Sequence, residues 1–326
     1  VRQLWGKQAG RPHPDLNHAV GDQLKSNRTY RDMLKSPDGR RCWTLKYAES
    51  ASYHMDILPS LVSEGYQLLL ERKLSANDGS SASELAMRIT DKTERGYRVD
   101  TDPALWLLSN PFGYGLWFFQ RASLERTKNL SLTEAVSPIP KYQKEKLPLQ
   151  QAVQVMKRHR DVIFNGDENK PISIIITTLA ALAYNKETSV FEALQNIVHK
   201  MTSFIEERFD VRYGKKIKWI ANPINSQENF ADKWPLNPQK ERNFYTWMNR
   251  LQADLRNLTN QKDLYMIHES VTNSFGERAA TKVFDSYGEE LRRFRENGQQ
   301  FMAAKTGILG SVGTILKNHN FHGTGK

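Results

Sequence analysis

The sequence predicts an α+β protein of two lobes, a mixed sheet lobe followed by a helical lobe, on three observations. Before Asp100, short apolar and aromatic runs of strand length alternate with turn-forming clusters. Beyond Leu147, apolar residues recur at every third or fourth position, the spacing of helices with one buried face. Between the two regimes lies Ser137-Pro138-Ile139-Pro140, whose paired prolines mark the boundary. The expected division is 1–139 for the sheet lobe, 140–304 for the helical lobe and 305–326 for a mobile tail rich in Gly, Thr and Asn.

In chain order, Pro14-Asp15 opens a helical pattern through Leu16, Val20, Leu24 and Tyr30 to Leu34, and Ser36-Pro37-Asp38-Gly39 ends it as a turn. Arg41 to Tyr47 alternates as a strand does, and the link Ala48 to Ala51 is short enough for a hairpin into the run from Ser52 to Pro59. Tyr66 to Leu70 is a short apolar run, Lys73 to Ser83 a polar loop, and Leu85 to Ile89 with Tyr97 to Val99 read as two further strands. Asn110-Pro111 should start a helix with the proline in its first turn, among Trp106, Phe112, Tyr114, Trp117, Phe118 and Phe119; such an aromatic set reads as core. Leu147 to Phe164 is helical and closed by Asn165-Gly166-Asp167. Ile172 to Tyr184 is almost wholly apolar and hence a buried helix, while Val190 to Phe209, Glu241 to Leu258 and Phe275 to Phe294 are amphipathic.

With 326 residues, of which 39% are hydrophobic, the chain can bury a sizeable core. No apolar run reaches the roughly 18 residues of a membrane span and no charged-then-apolar leader opens the chain, so a cytoplasmic location without membrane association is expected. A single cysteine, Cys42, excludes an internal disulfide, and its place in an apolar strand suits packing better than nucleophilic work. The net charge of +11 favours anionic partners, either nucleoside triphosphates or nucleic acid, although a basic surface also serves solubility.

One acid stands out. In Ser52-Tyr53-His54-Met55-Asp56-Ile57-Leu58-Pro59, alternation puts Tyr53, Met55 and Ile57 on one face and His54, Asp56 and Leu58 on the other. Asp56 is therefore turned from the apolar face, either as a solvated strand acid or as a ligand for a hard cation such as magnesium, which takes its remaining ligands from water and phosphate. His54 lacks the second histidine and cysteine of a zinc site, and a satisfied structural histidine is the better reading.

These residues resemble a known family. Arg41-Cys42-Trp43 with Tyr53 to Pro59 is similar to the third-acid hairpin of the bacterial cyclic-oligonucleotide synthases (CD-NTases) related to cyclic GMP-AMP synthase and oligoadenylate synthase. Ser109 to Tyr114, Lys157 to Asp161, Pro171 to Ala180 and Asn222 to Phe230 fall in that family's order and approximate spacing. The resemblance implies a two-lobed nucleotidyltransferase fold and a magnesium-dependent enzyme that makes cyclic di- or trinucleotide second messengers from ribonucleoside triphosphates, in anti-phage defence. It implies two Mg2+ ions held by three carboxylates, with Asp56 as the third acid, both catalytic and metal-binding. Lys157 and Ser173 are implied as contacts to the triphosphate. Without the resemblance, Lys157-Arg158-His159-Arg160 reads as a solvated basic face with Lys157 and Arg160 on one side. Arg41 could also meet phosphate.

The match is incomplete. Neither the family's Gly-Ser turn nor its Asp-X-Asp pair appears before Ala48, and the chain opens on Val1, so a longer product is expected to supply them. One carboxylate cannot fix a two-ion site; the chain itself is expected to bind metal weakly and turn over little. The alternatives are a non-catalytic basic nucleic-acid-binding protein, or a degenerate member acting through partner contacts. Gly323 and Gly325 resemble the conjugation tails of some members, which would give the tail a conjugation or regulatory protein partner, although Lys326 departs from a terminal glycine. His159-Arg160-Asp161 with Asn165 is a decoy for a protein-kinase catalytic loop, since the asparagine comes one residue early and no Asp-Phe-Gly follows.

Overall fold

The computed structural model describes residues 12–48, 53–62, 86–124, 146–299, 301–303, 307, 309–310 and 313–315. These sort into two units. One comprises the residues up to Lys146 together with Ala221–Glu228; the other comprises Leu147–Ile220 and the residues from Asn229 onward. The expected run Tyr66 to Leu70, the loop Lys73 to Ser83, the prolines at 138 and 140, and Gly323 with Gly325 all lie outside the described residues.

The first unit begins with α1 (His13–Ser26) and α2 (Arg28–Met33). The single helical run expected here breaks at Asn27, whose backbone is extended and whose side chain accepts the Tyr30 amide as an N-cap. Helix α1 buries Leu16, Gly21 and Leu24, and its Gly21 faces Trp43 of β1 (Trp43–Ala48). The approach at Gly21 is close: a Cβ there would lie 2.2 Å from Cζ2 of Trp43. The Trp43 indole donates to the Asn17 carbonyl at 3.1 Å, and Lys25 stands 4.9 Å over its ring.

β1 pairs antiparallel with β2 (Tyr53–Ile57), in the register Trp43 to Ile57 and Thr44 to Asp56. A second antiparallel sheet joins β3 (Ser60–Val62), β4 (Met87–Ile89) and β5 (Leu107–Ser109) in that order. Tyr97 to Val99, expected as a strand, is instead a run of turns with Tyr97 donating to Glu94 and Val99 to Gly96. Three residues after a glycine are too few to compete with those local bonds. As expected, Asn110 caps α3 (Pro111–Ala122), accepting the Gly113 amide at 2.7 Å, with Pro111 at the first helical position.

The second unit starts with α4 (Pro148–Phe164) and α5 (Ser173–Ala183). Asn165 in the left-handed conformation and Gly166 close α4, as that sequence predicts. α5 buries Ile175, Ile176, Leu179 and Ala180 completely or nearly so; each such large aliphatic contributes roughly 1.5–3 kcal/mol. Helix α6 (Val190–Lys200) stops nine residues short of the expected Phe209. A short 3-10 turn, Met201–Phe204, leads into a hairpin of β6 (Glu206–Asp210) and β7 (Lys215–Trp219). There Ser203 returns its hydroxyl to the Lys200 carbonyl, a bond that competes with helix continuation.

A small ribbon counted with the first unit, β8 (Ala221–Asn222) with β9 (Asn225–Asn229), interrupts the second, which resumes with α7 (Pro238–Asn260), whose inner stripe is Phe244, Trp247, Met248 and Leu251. Then come α8 (Leu264–Phe275) and α9 (Glu277–Glu296). Phe275 thus ends α8 rather than starting the last helix, and Gly276, at φ +85°, makes the corner between them. No helix among the described residues is long and apolar enough to cross a membrane.

Candidate nucleotide site

Hairpin register decides where Asp56 sits. Because Thr44 faces Asp56 and Lys46 faces His54, these four share one side, while Trp43 and Leu45 on the other are buried. The Thr44 hydroxyl donates to Asp56 Oδ1 at 2.7 Å, which orients the carboxylate and leaves Oδ2 for another partner. The Asp56 side chain is 50% exposed. His54 is not the satisfied structural histidine expected: its side chain is 61% exposed and its Nε2 stands 3.9 Å from Asp56 Oδ2. An outward-facing strand position gave it no buried partner. Burial pushes the Cys42 thiol up, and the neighbouring Asp56 adds to this, so the sulfur stays protonated and inert.

As a metal ligand Asp56 has the right chemistry, an oriented carboxylate open on one oxygen. The described residues do not complete a centre around it, since no group of three or more His, Cys, Asp or Glu side chains among them could hold an ion. A two-ion site therefore does not fit these residues alone.

In the second unit, Arg160 stands one helical turn from Lys157 on α4 and is bonded to Ser173. Ser173 is the exposed first residue of α5. Its Oγ accepts from Arg160 Nη1 at 3.0 Å, and the same nitrogen donates to the Pro171 carbonyl at 3.0 Å. Arg160 is buried, and its Nε and Nη2 both bind Asp161 Oδ1, at 3.0 and 2.8 Å. Lys170 reaches that oxygen too, at 3.0 Å. Asp161 is held below its ordinary value although burial opposes this, because Lys170 and Arg160 favour the carboxylate.

Lys157 precedes Arg160 by one helical turn and shares its side. Burial pulls the Lys157 ammonium down, Arg160 pulls it further, and Asp161 only partly compensates. The corner is thus cationic and short of anionic partners, next to the free amides of a helix start.

The rest of the Lys157-Arg158-His159-Arg160 stretch is structural. Arg158 points elsewhere, donating from Nε to the Phe275 carbonyl at 2.7 Å. His159 is fully buried against Asp254 and Trp247, which disposes of the kinase-like pattern. Arg41, a candidate for phosphate, donates instead to Asp91 at 2.6 Å, and Arg40 contacts the same oxygen at 3.0 Å. Asp91 is buried; burial raises its carboxyl, but Arg41 and Thr93 hold it below the usual range. The amide-rich turn is a local network: Asn222 accepts the Ile224 amide and donates to Glu228. Thr44, Arg160 and Asp161 escaped the sequence reading as site residues. Only register signals the first, and only the one-turn spacing from Lys157 hints at the other two.

No family model matches the chain. A c-di-GMP synthase of Roseivirga ehrenbergii is 29% identical over 293 residues, 88% of this chain and 68% of the relative. The cyclic dinucleotide synthase CdnG of Bradyrhizobium diazoefficiens is 23% identical, over 93% of this chain and 73% of its own length. The solved structure of that CdnG, in complex with GTP, superposes with a TM-score of 0.58 at 20% identity, over 87% of this chain and 75% of the other. The fold is shared, and the sequence likeness runs through both units. The chain is thus similar in sequence to bacterial cyclic dinucleotide synthases over most of its length and shares the fold of the CD-NTase CdnG.

Proposed function

We propose that this protein is a nucleotidyltransferase that builds a cyclic dinucleotide second messenger from ribonucleoside triphosphates, with an anti-phage signalling role like that implied by the family it resembles. The observation that carries this reading is the sequence likeness to cyclic dinucleotide synthases, supported by the start of α5, where Arg160, on the same side of α4 as Lys157, binds the exposed Ser173 hydroxyl. A lysine supplies a movable point charge and a helix start supplies free amides, the pair of features that a polyphosphate needs. Asp56 is the acid of the reaction in this reading, with Thr44 aiming its carboxylate.

Divalent magnesium, when bound, would neutralise the triphosphate and lower the pKa of the attacking sugar hydroxyl. Asp56 would be one of its ligands, and the pair of ions needs further carboxylates beyond those grouped here.

The test is incubation with Mg2+ and all four ribonucleoside triphosphates, followed by chromatography. In any form of the protein that makes product, Asp56→Asn is expected to bring synthesis below detection. Unchanged synthesis by that variant would move the acid elsewhere. Magnesium-independent binding of RNA that falls along a steep log-linear salt slope, with no triphosphate binding, would instead favour a nucleic-acid-binding protein.

A further inference from the structure

The Arg160 guanidinium is planar and its donors have fixed directions. Nε and Nη2 are both committed to Asp161 Oδ1, so the direction of Nη1 is set, and its two protons go to the Pro171 carbonyl and to Ser173 Oγ. Arginine only donates. Ser173 Oγ therefore accepts in that bond, and its own single proton must point away from Arg160. Ser173 is exposed, so the proton is available outside the helix start. The Pro171 bond acts on the backbone in the same sense, anchoring the carbonyl two residues before α5 begins. A serine beside solvent otherwise divides its time among rotamers and can turn its proton to water or to a neighbouring backbone carbonyl. Arg160 removes that freedom without itself being exposed, at 6% accessibility.

We infer that Arg160 is a positioning residue for triphosphate binding: it holds the Ser173 hydroxyl as a donor aimed at a phosphoryl oxygen. This rests on the reading of Ser173 as a triphosphate contact and adds the residue that makes the contact directional. Arg160 touches no ligand, so its influence passes through Ser173.

The experiment is a double-mutant cycle on the full chain, titrating GTP and ATP with Mg2+ by calorimetry, with thermal unfolding recorded for each variant. Ser173→Ala is expected to weaken binding roughly 10- to 100-fold, the worth of one hydrogen bond to a charged group, and Arg160→Lys by a similar factor. In the double variant the loss should stay within about twofold of Ser173→Ala alone, because a residue acting through a missing hydroxyl has nothing left to orient. Independent multiplication of the two losses overturns the positioning role while leaving Ser173 as a contact. No loss in Ser173→Ala overturns the contact and the positioning role together. If Arg160→Lys does not fold, the side-chain nitrogen resonances of Arg160 in the unsubstituted chain decide the matter. They should shift on adding triphosphate and stay fixed in Ser173→Ala; a shift of equal size in both overturns the inference.

Discussion

The Trp247 indole donates to Nδ1 of His159 at 3.1 Å, which fixes the imidazole tautomer: Nδ1 accepts, so the ring proton sits on Nε2 and is given to Asp254 Oδ2 at 3.0 Å. Protonating Nδ1 would cost the Trp247 bond. Burial lowers His159 below its ordinary value, and although Asp254 works the other way the net direction is down. The folded ring is thus neutral where the unfolded one takes a proton. Stability should be full above about pH 6.5 and decline as pH falls from there towards the lower folded value. His159→Gln should lose roughly 1–3 kcal/mol at pH 7.5 and flatten that slope. Urea unfolding followed by tryptophan fluorescence between pH 5 and 8 measures both; a parallel slope in the variant would assign the titration to another group.

Lys157 is kept charged at a cost in stability, which predicts a trade. Lys157→Met should raise the midpoint of thermal unfolding at pH 7 by roughly 1–3 °C while weakening triphosphate binding. The sign follows from its lowered value: the unfolded chain holds this proton more tightly than the folded one. The variant's advantage should shrink as pH climbs towards the lysine range, where the wild-type side chain sheds its proton in the fold. Calorimetric scans from pH 7 to 10 test this.

The Thr44 hydroxyl fixes one oxygen of Asp56, so Thr44→Val should lower magnesium-dependent synthesis roughly 3- to 10-fold, less than a buried charged hydrogen bond would suggest because the pair is half exposed. Thr44→Ser keeps the donor and should recover most of the rate. Initial rates for the three proteins at saturating triphosphate, in a form of the protein that makes product, decide it.

At Gly21 there is no room for a side chain against Trp43. Gly21→Val should cost roughly 1–3 kcal/mol through overpacking, read by urea unfolding with circular dichroism. A variant as stable as wild type would mean that α1 can slide along the hairpin.

Much of the architecture was legible because local signals agreed with tertiary burial. The Asn110-Pro111 start, the Asn165-Gly166 stop and the unbroken apolar run of α5 each named their element without help from the rest of the chain. The β6–β7 hairpin was hidden because every cross-strand pair includes a charged residue, as where Lys218 meets Glu207 at 2.7 Å, and too few apolar residues remain to show a period. Helix α8 was missed for a related reason, since Leu264, Tyr265 and Met266 remain exposed and define no buried stripe. For the site, the positions of Asp56, Lys157 and Ser173 could be named from motif resemblance. What could not be read was the link between the last two, because Arg160 binds Ser173 across the α4–α5 turn and looks in sequence like another surface cation.

Four successive side chains on α4 leave the helix at about 100° from one another and take four different destinations. Lys157 lies half-buried on the side of Arg160, Arg158 ties to the end of α8, His159 docks into α7, and Arg160 secures the α5 start. The helix is consequently keyed like a lock cylinder. Losing a single residue between Leu149 and Met156 would turn this whole quartet by one step relative to the buried Leu149-Ala152-Val153 stripe, and all four engagements would fail at once. Length in this segment should therefore tolerate no insertion or deletion, even where individual letters can vary.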